Sequence, residues 1–233
     1  MEKYLKFMKP GVWLFAALVM LSACKNDKYY FDGGKHDATF KGTVLEYLQS
    51  KPLQFDTISA IIKISGLEKE FSEDQLTFFA PTDQSVRRIM KITNSYLYES
   101  GKDTLTTLEE IEPKVWKKYL MRYMYKGANL VKDYYQLDMT LKAVYPGQNY
   151  KSYNQTIFNI GVIFDDINGI KYAGYRHLAI SYIPDHNKPL ENWVTENISS
   201  SDIRPNNGVV HTMNEYHSFG FNSDFTIDVF SAR

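Results

Sequence analysis

The 233-residue chain has one cysteine, Cys24. A single thiol rules out an intrachain disulfide and a cysteine-based zinc site. Surplus charge is missing too: 27 Lys plus Arg stand against 27 Asp plus Glu. Holding nucleic acid by basicity needs a clustered positive excess, so no nucleic-acid partner is expected. The apolar run from Gly11 through Ala23 falls short of the roughly 20 residues a spanning helix requires. There is no G-x-S-x-G elbow and no glycine-rich phosphate loop. The histidines His36, His177, His186, His211 and His217 show no H-E-x-x-H or other metal spacing. Of these, His177 sits in a strand-like stretch and His186 in a polar loop. Asp165-Asp166-x-Asn168-Gly169 lacks the alternating ligands and distal glutamate of a calcium loop and reads as a turn. The acids Glu109, Glu110 and Glu112 read as complements to a helix dipole. The expectation is a non-catalytic protein with no cofactor and no metal.

What the chain does have is a sufficient core and many aromatics. Hydrophobic residues make up 44% and charged residues 23%, the proportions of a folded, globular chain. Tyrosine is abundant at 18 residues, with 14 Phe and 3 Trp. Several crowd the middle, from Tyr119 to Tyr153. Core and boundary packing accounts for most of them, and as a group they also suit a binding face.

Lys3, Lys6 and Lys9 precede the apolar run, which makes residues 1–23 a secretory signal rather than an anchor. Leu21-Ser22-Ala23-Cys24 resembles the bacterial lipobox, in which the cysteine is acylated and becomes the first mature residue. Cys24 is thus the expected lipid-attachment site. Acyl chains contribute about 0.8 kcal/mol per buried methylene, enough in combination for stable anchoring. Residues 24–37 read as a flexible tether, and the expected location is the outer membrane, at the surface of a Gram-negative cell.

Helical signals come first. Thr43-x-x-Glu46 is a capping box ahead of Val44, Leu45 and Leu48, and Lys51-Pro52 closes that turn. Asp56 opens a second helix along Ile58, Ile61 and Ile62, stopped by Gly66. Leu76 to Ala80 is a short buried strand, and Pro81-Thr82-Asp83 caps a third helix carrying Val86, Ile89 and Met90. Thr107-x-x-Glu110 is another capping box, and Pro113 begins a helix to about Tyr125. After Gly127 the period changes to two. Strands are expected at 137–143, 157–164, 178–182, 209–210 and 225–230, with 184–201 a polar excursion. Residues 38–233 form one α+β domain.

Two motifs carry a family resemblance. Thr77-Phe78-Phe79-Ala80-Pro81-Thr82-Asp83 resembles the first signature of the fasciclin domain, and Asn207-Gly208-Val209-Val210-His211 resembles the second. The resemblance implies a wedge-shaped β-sandwich with helices packed along one side, and mainly structural roles for Thr77, Phe79, Ala80, Pro81, Thr82, Asp83, Asn207, Gly208, Val209, Val210 and His211. Asn207-Gly208 is expected to supply a positive φ before Val209. Three departures stand out. Met124 replaces the histidine that follows the family's tyrosine, here Tyr123. Asn214 stands where an acid is common, and residues 175–205 look like an insertion.

The function implied is adhesion, or binding of a protein or glycan, in the setting of an outer-membrane glycan uptake system. The alternative is a hydrolase of extracellular polymers with its site in the 175–205 insertion, which requires a carboxylate pair about 5–10 Å apart. The sequence leaves the oligomeric state open.

Overall fold

The computed structural model describes residues 38–185 and 187–233. The signal segment 1–23, the acylation site Cys24, the tether 24–37 and the loop reading of His186 lie outside the described residues. Among those described, no helix is long and apolar enough to cross a membrane.

Residues 38–233 form one compact unit. It opens with α1 (Val44–Gln49), whose capping box is fully made: Glu46 N donates to Thr43 Oγ1 (3.2 Å) and Thr43 N to Glu46 Oε2 (2.7 Å). Pro52 does not end this segment but begins α2 (Pro52–Ile64) at a position whose amide would be unpaired anyway. The helix kinks at Phe55 (φ −135°), and Ile58, Ile61 and Ile62 then form its buried stripe. The short α3 (Glu68–Glu73) buries Phe71 against Phe78.

Seven strands make one mixed sheet. They are β1 (Leu76–Ala80), β2 (Met124–Lys126), β3 (Gln148–Lys151), β4 (Ile157–Phe164), β5 (Arg176–Tyr182), β6 (Val194–Ile203) and β7 (Gly208–Met213), in the order β2-β1-β7-β6-β5-β4-β3. Only β1 and β7 run parallel, with Phe79 opposite His211. The sheet turns on β6, which pairs with β5 through residues 194–197 and with β7 from Ile198 onward, across two register shifts. Bulges of this kind bend and twist a strand, so the two halves face each other. The outer strands then nearly meet: Tyr153 N donates to Met124 O (2.9 Å), and Tyr125 packs near Phe158. The result is the expected α+β architecture, a nearly barrel-shaped sheet with helices alongside. Phe78 and Phe79 are both fully buried because β1 is covered on both sides.

The helical layer is completed by α4 (Asp83–Glu99), α5 (Pro113–Leu120) and α6 (Asp224–Ser231). Several local expectations are corrected. The segment 225–230 is helical, because Phe225 and Val229, spaced i to i+4, are buried on one face of α6. The helix from Pro113 ends at Leu120, and a 3₁₀ turn at Met121–Tyr123 leads straight into β2. Glu110 Oε1 accepts from Thr106 N, Thr106 Oγ1 and Thr107 N, but caps a turn rather than a helix. No strand forms at 137–143. There Asp138 Oδ1 accepts from Thr140 N, Thr140 Oγ1 and Leu141 N, and this local turn outcompetes the alternating pattern. Much of the excursion at 184–201 is β6, a strand held by its ladders while burying only Ile198. The stretch 175–205 thus contains β5 and β6 of the central sheet.

Candidate functional site

The two motifs lie side by side through the parallel β1–β7 pair. Thr77 Oγ1 donates to Gly127 O (2.7 Å) and accepts from Asn129 N (2.8 Å), tying β1 to the chain beyond β2. Phe79 packs on His211 with ring centroids 5.1 Å apart. Ala80 and Pro81 are buried at the strand's end. Thr82 is the N-cap residue of α4 but makes no side-chain cap. Asp83 caps a different helix: its Oδ1 accepts from Thr57 N (2.9 Å), just past the Phe55 kink in α2.

Asn207 is a clamp. Its Oδ1 accepts from Val44 N (2.8 Å), while its Nδ2 donates to Phe71 O and Asp74 O. The expected positive φ at Asn207-Gly208 is absent. Gly208 is required for close approach instead, since a Cβ there would lie 2.0 Å from Leu76 O. Val209 and Val210 are buried in β7. His211 is fully buried, its Nε2 3.0 Å from Asn129 O and its Nδ1 accepting from Asp202 N at 3.2 Å. Burial holds its pKa down at about 4, so the ring is neutral with its proton on Nε2. These eleven motif residues build an interior, and none offers an open reactive group.

Tyr123 does meet a histidine, although Met124 follows it. His217 Nε2 lies 2.7 Å from the Tyr123 hydroxyl, which also accepts from Gly220 N. His217 Nδ1 is 3.3 Å from Glu196 Oε1 but not aligned for a hydrogen bond. Beside it, Arg122 is buried between the rings of Tyr119 and Tyr182 and donates to Gly220 O. No motif spacing signals this cluster, since its members come from α5, the 3₁₀ turn after it, β5, β6 and the loop before α6.

The accessible candidate surface lies elsewhere. Of the large apolar side chains exposed among the described residues, eight fall between Tyr135 and Leu190, which places most apolar exposure in one region. Tyr135 and Tyr175 are 66% and 70% exposed. The region is held together by named contacts. Tyr145 meets Tyr172 edge-on at 5.4 Å, the Tyr172 hydroxyl donates to Asp138 Oδ2 (2.9 Å), and Lys142 donates to Leu190 O while covering the Trp193 ring. Two pockets open here. One, of about 430 Å³, is lined by Tyr135, Gln136, Tyr145 and Gly147 among others. The second, of about 340 Å³, holds Asp138, Asp165, Asp166, Lys171 and Tyr172.

The second pocket gathers carboxylates, although none of its lining residues lies in the 175–205 stretch where the hydrolase alternative puts its site. Yet hydrogen bonds from Thr140, Tyr172 and Leu141 pull the Asp138 pKa down to about 2. That makes it a fixed acceptor, not a proton donor at neutral pH. Among the described residues no group of His, Cys, Asp or Glu is arranged to hold a metal ion. His177 is half-buried on β5, stacked on Tyr175 with its Nδ1 3.7 Å from Asp165.

The fasciclin domain family model matches residues 53–216. No curated protein matches the chain in sequence. Among solved structures, a pair of FAS1 domains from the insect cell adhesion molecule fasciclin I aligns with a TM-score of 0.50 at 16% identity. That alignment covers 81% of this chain and 52% of that structure, so the chain spans about half the length of its structural relative.

Proposed function

This chain belongs to the fasciclin domain family, and from that premise we propose that it is a non-catalytic adhesion or binding domain. In this reading it is displayed at the outer surface of a Gram-negative cell by lipid on Cys24. The observation that carries the reading is the exposed aromatic region around Tyr135, Tyr145, Tyr172 and Tyr175, braced by hydrogen bonds and ring contacts rather than left as loose loops. Rigid amphipathic rings at a surface bind with little loss of conformational freedom. The adhesion molecule that shares the fold supports a binding role by analogy. We further propose that the partner is a protein or glycan of an outer-membrane glycan uptake system, to which this protein is an accessory.

The test is a crosslinked pull-down of the full-length protein from intact cells, alongside Cys24→Ala and the double variant Tyr135→Ala/Tyr175→Ala. The expected result is a stoichiometric outer-membrane transporter or glycan, lost in the Cys24→Ala cells and reduced at least tenfold in the double variant. Equal recovery by all three proteins overturns the surface assignment. Recovery of no stoichiometric protein or glycan partner overturns the binding role.

A further inference from the structure

The turn at Pro146-Gly147, which lines the first pocket, has unmet hydrogen-bonding demand beside and beneath it. Residues 135–137 run along the second half of β4: Val162 N donates to Tyr135 O, and Leu137 N to Val162 O. They come this close because Gly161 has no side chain; a Cβ there would lie 2.5 Å from Leu137 Cβ. Gly147 (φ +64°) turns the chain back, and its missing Cβ leaves room for Asn159 Oδ1, 2.4 Å from where it would stand. Asn159 is only 3% exposed. Its Nδ2 donates to Pro146 O and Asn149 Oδ1, which fixes the amide's orientation. Its Oδ1 and the Nε2 of Gln136, also buried, have no partner in the protein. Gln136 lines the pocket, and its own carbonyl accepts from Gly147 N. One unpaired donor and one unpaired acceptor thus flank the same turn.

Such groups are costly to leave unmet. Of the two, only Gln136 lines the pocket, and a hydroxyl oxygen can accept from its amide. Tyr135 and Tyr145 line the pocket too, and no charged side chain does. A pyranose fits that combination. Its C–H faces lie against aromatic rings, a hydroxyl can meet the Gln136 amide once that side chain turns outward, and it brings no charge that would need a counterion. The volume is that of an ordinary small-ligand site.

We propose that this pocket is a subsite for a neutral pyranose of a glycan chain. The neighbouring pocket, across the wall made by Tyr145 and Tyr172, receives the next residue, with Asp138, Asp166 and Lys171 available to its hydroxyls. The assignment rests on the binding role proposed above and names its ligand class.

Affinity electrophoresis of the full chain carrying Cys24→Ala tests it, with starch, xylan, glucomannan or mixed-linkage β-glucan in the gel and polygalacturonate as the acidic control. Retardation is expected on at least one neutral polysaccharide and not on polygalacturonate. Tyr145→Ala should weaken it at least tenfold. Gln136→Leu is the decisive variant: it removes a buried unpaired donor, so the urea midpoint should hold or rise while retardation falls at least tenfold. Retardation unchanged by Gln136→Leu, or absent on all four neutral polysaccharides, overturns the proposal. If the cell pull-down still captures a protein through Tyr135 and Tyr175 while no neutral polysaccharide retards the chain, the sugar assignment falls and the binding role stands. If both experiments are empty, both fall.

Discussion

Asn207 shows how one side chain can hold three elements. Its amide satisfies the first free N–H of α1 and two carbonyls at the end of α3. Asn207→Ala should therefore cost about 2–3 kcal/mol, read as a lower urea midpoint at unchanged m-value. Next to it, Gly208→Ala drives a methyl into the Leu76 carbonyl of the paired strand. Neither backbone can yield without breaking the β1–β7 ladder, so this variant should be recovered mainly as insoluble protein. His211 makes a pH prediction. Burial holds its folded pKa at about 4 against 6.5 for the free side chain, so the folded state takes up the proton less readily than the unfolded chain. The stability it contributes is complete above pH 6.5, is lost as pH falls toward 4, and levels off below. A gap of this size is about 3 kcal/mol. Burial lowers the His217 pKa as well, so both histidines act in the same direction. Urea unfolding at pH 7.5 and 4.5 should show the loss, and His211→Gln, which keeps a donor toward Asn129 O, should shrink it. A stability profile in His211→Gln as steep as in the unaltered protein would refute this account.

At the scale of elements, a cap does not always serve the helix that follows it. Asp83 begins α4 yet satisfies Thr57 N, an amide that the Phe55 kink deprives of its helical partner. Asp83→Ala should destabilise by about 1–2 kcal/mol. A double-mutant cycle with Thr57→Pro, which deletes the amide, should show the two changes to be strongly non-additive. Simple additivity would mean that Asp83 acts only through its own helix. The sequence conveyed some elements faithfully. The capping box at Thr43 and Glu46 and the strand at 157–164 follow from local chemistry that tertiary contacts do not override. Others were misread for identifiable reasons. Phe225 to Phe230 carries apolar residues compatible with either period, and only packing against Trp116 and Tyr119 selects the helix. β6 is polar enough to look like a loop because its pairing on both edges, not its side chains, makes it a strand.

For the molecule as a whole, the sheet is anchored at its centre and weakly closed at its seam. β1 and β7 are paired on both sides and buried, whereas the seam closes through the bond from Tyr153 N, just past β3, to Met124 O and the contact of Tyr125 with Phe158 of β4. Native-state hydrogen exchange should find the β1 and β7 amides opening only with global unfolding, and those of β3 opening at lower free energy. Equal protection across the seam would mean that the barrel closes more firmly than these contacts indicate. The sequence by itself determined the α+β class, the two motifs of β1 and β7 and the start of α1. Each depends on local periodicity, a motif or a cap. Only the tertiary structure decided that Asp83 serves α2, that Gly208 is needed for close approach to Leu76 O, that His217 reaches Tyr123 across 94 residues, and that Gln136 and Asn159 come to the same turn. Those pairings have no local signature. The last of them arises where Gly147 and Gly161 let distant backbones approach, and that distance is set by the packing of the whole sheet.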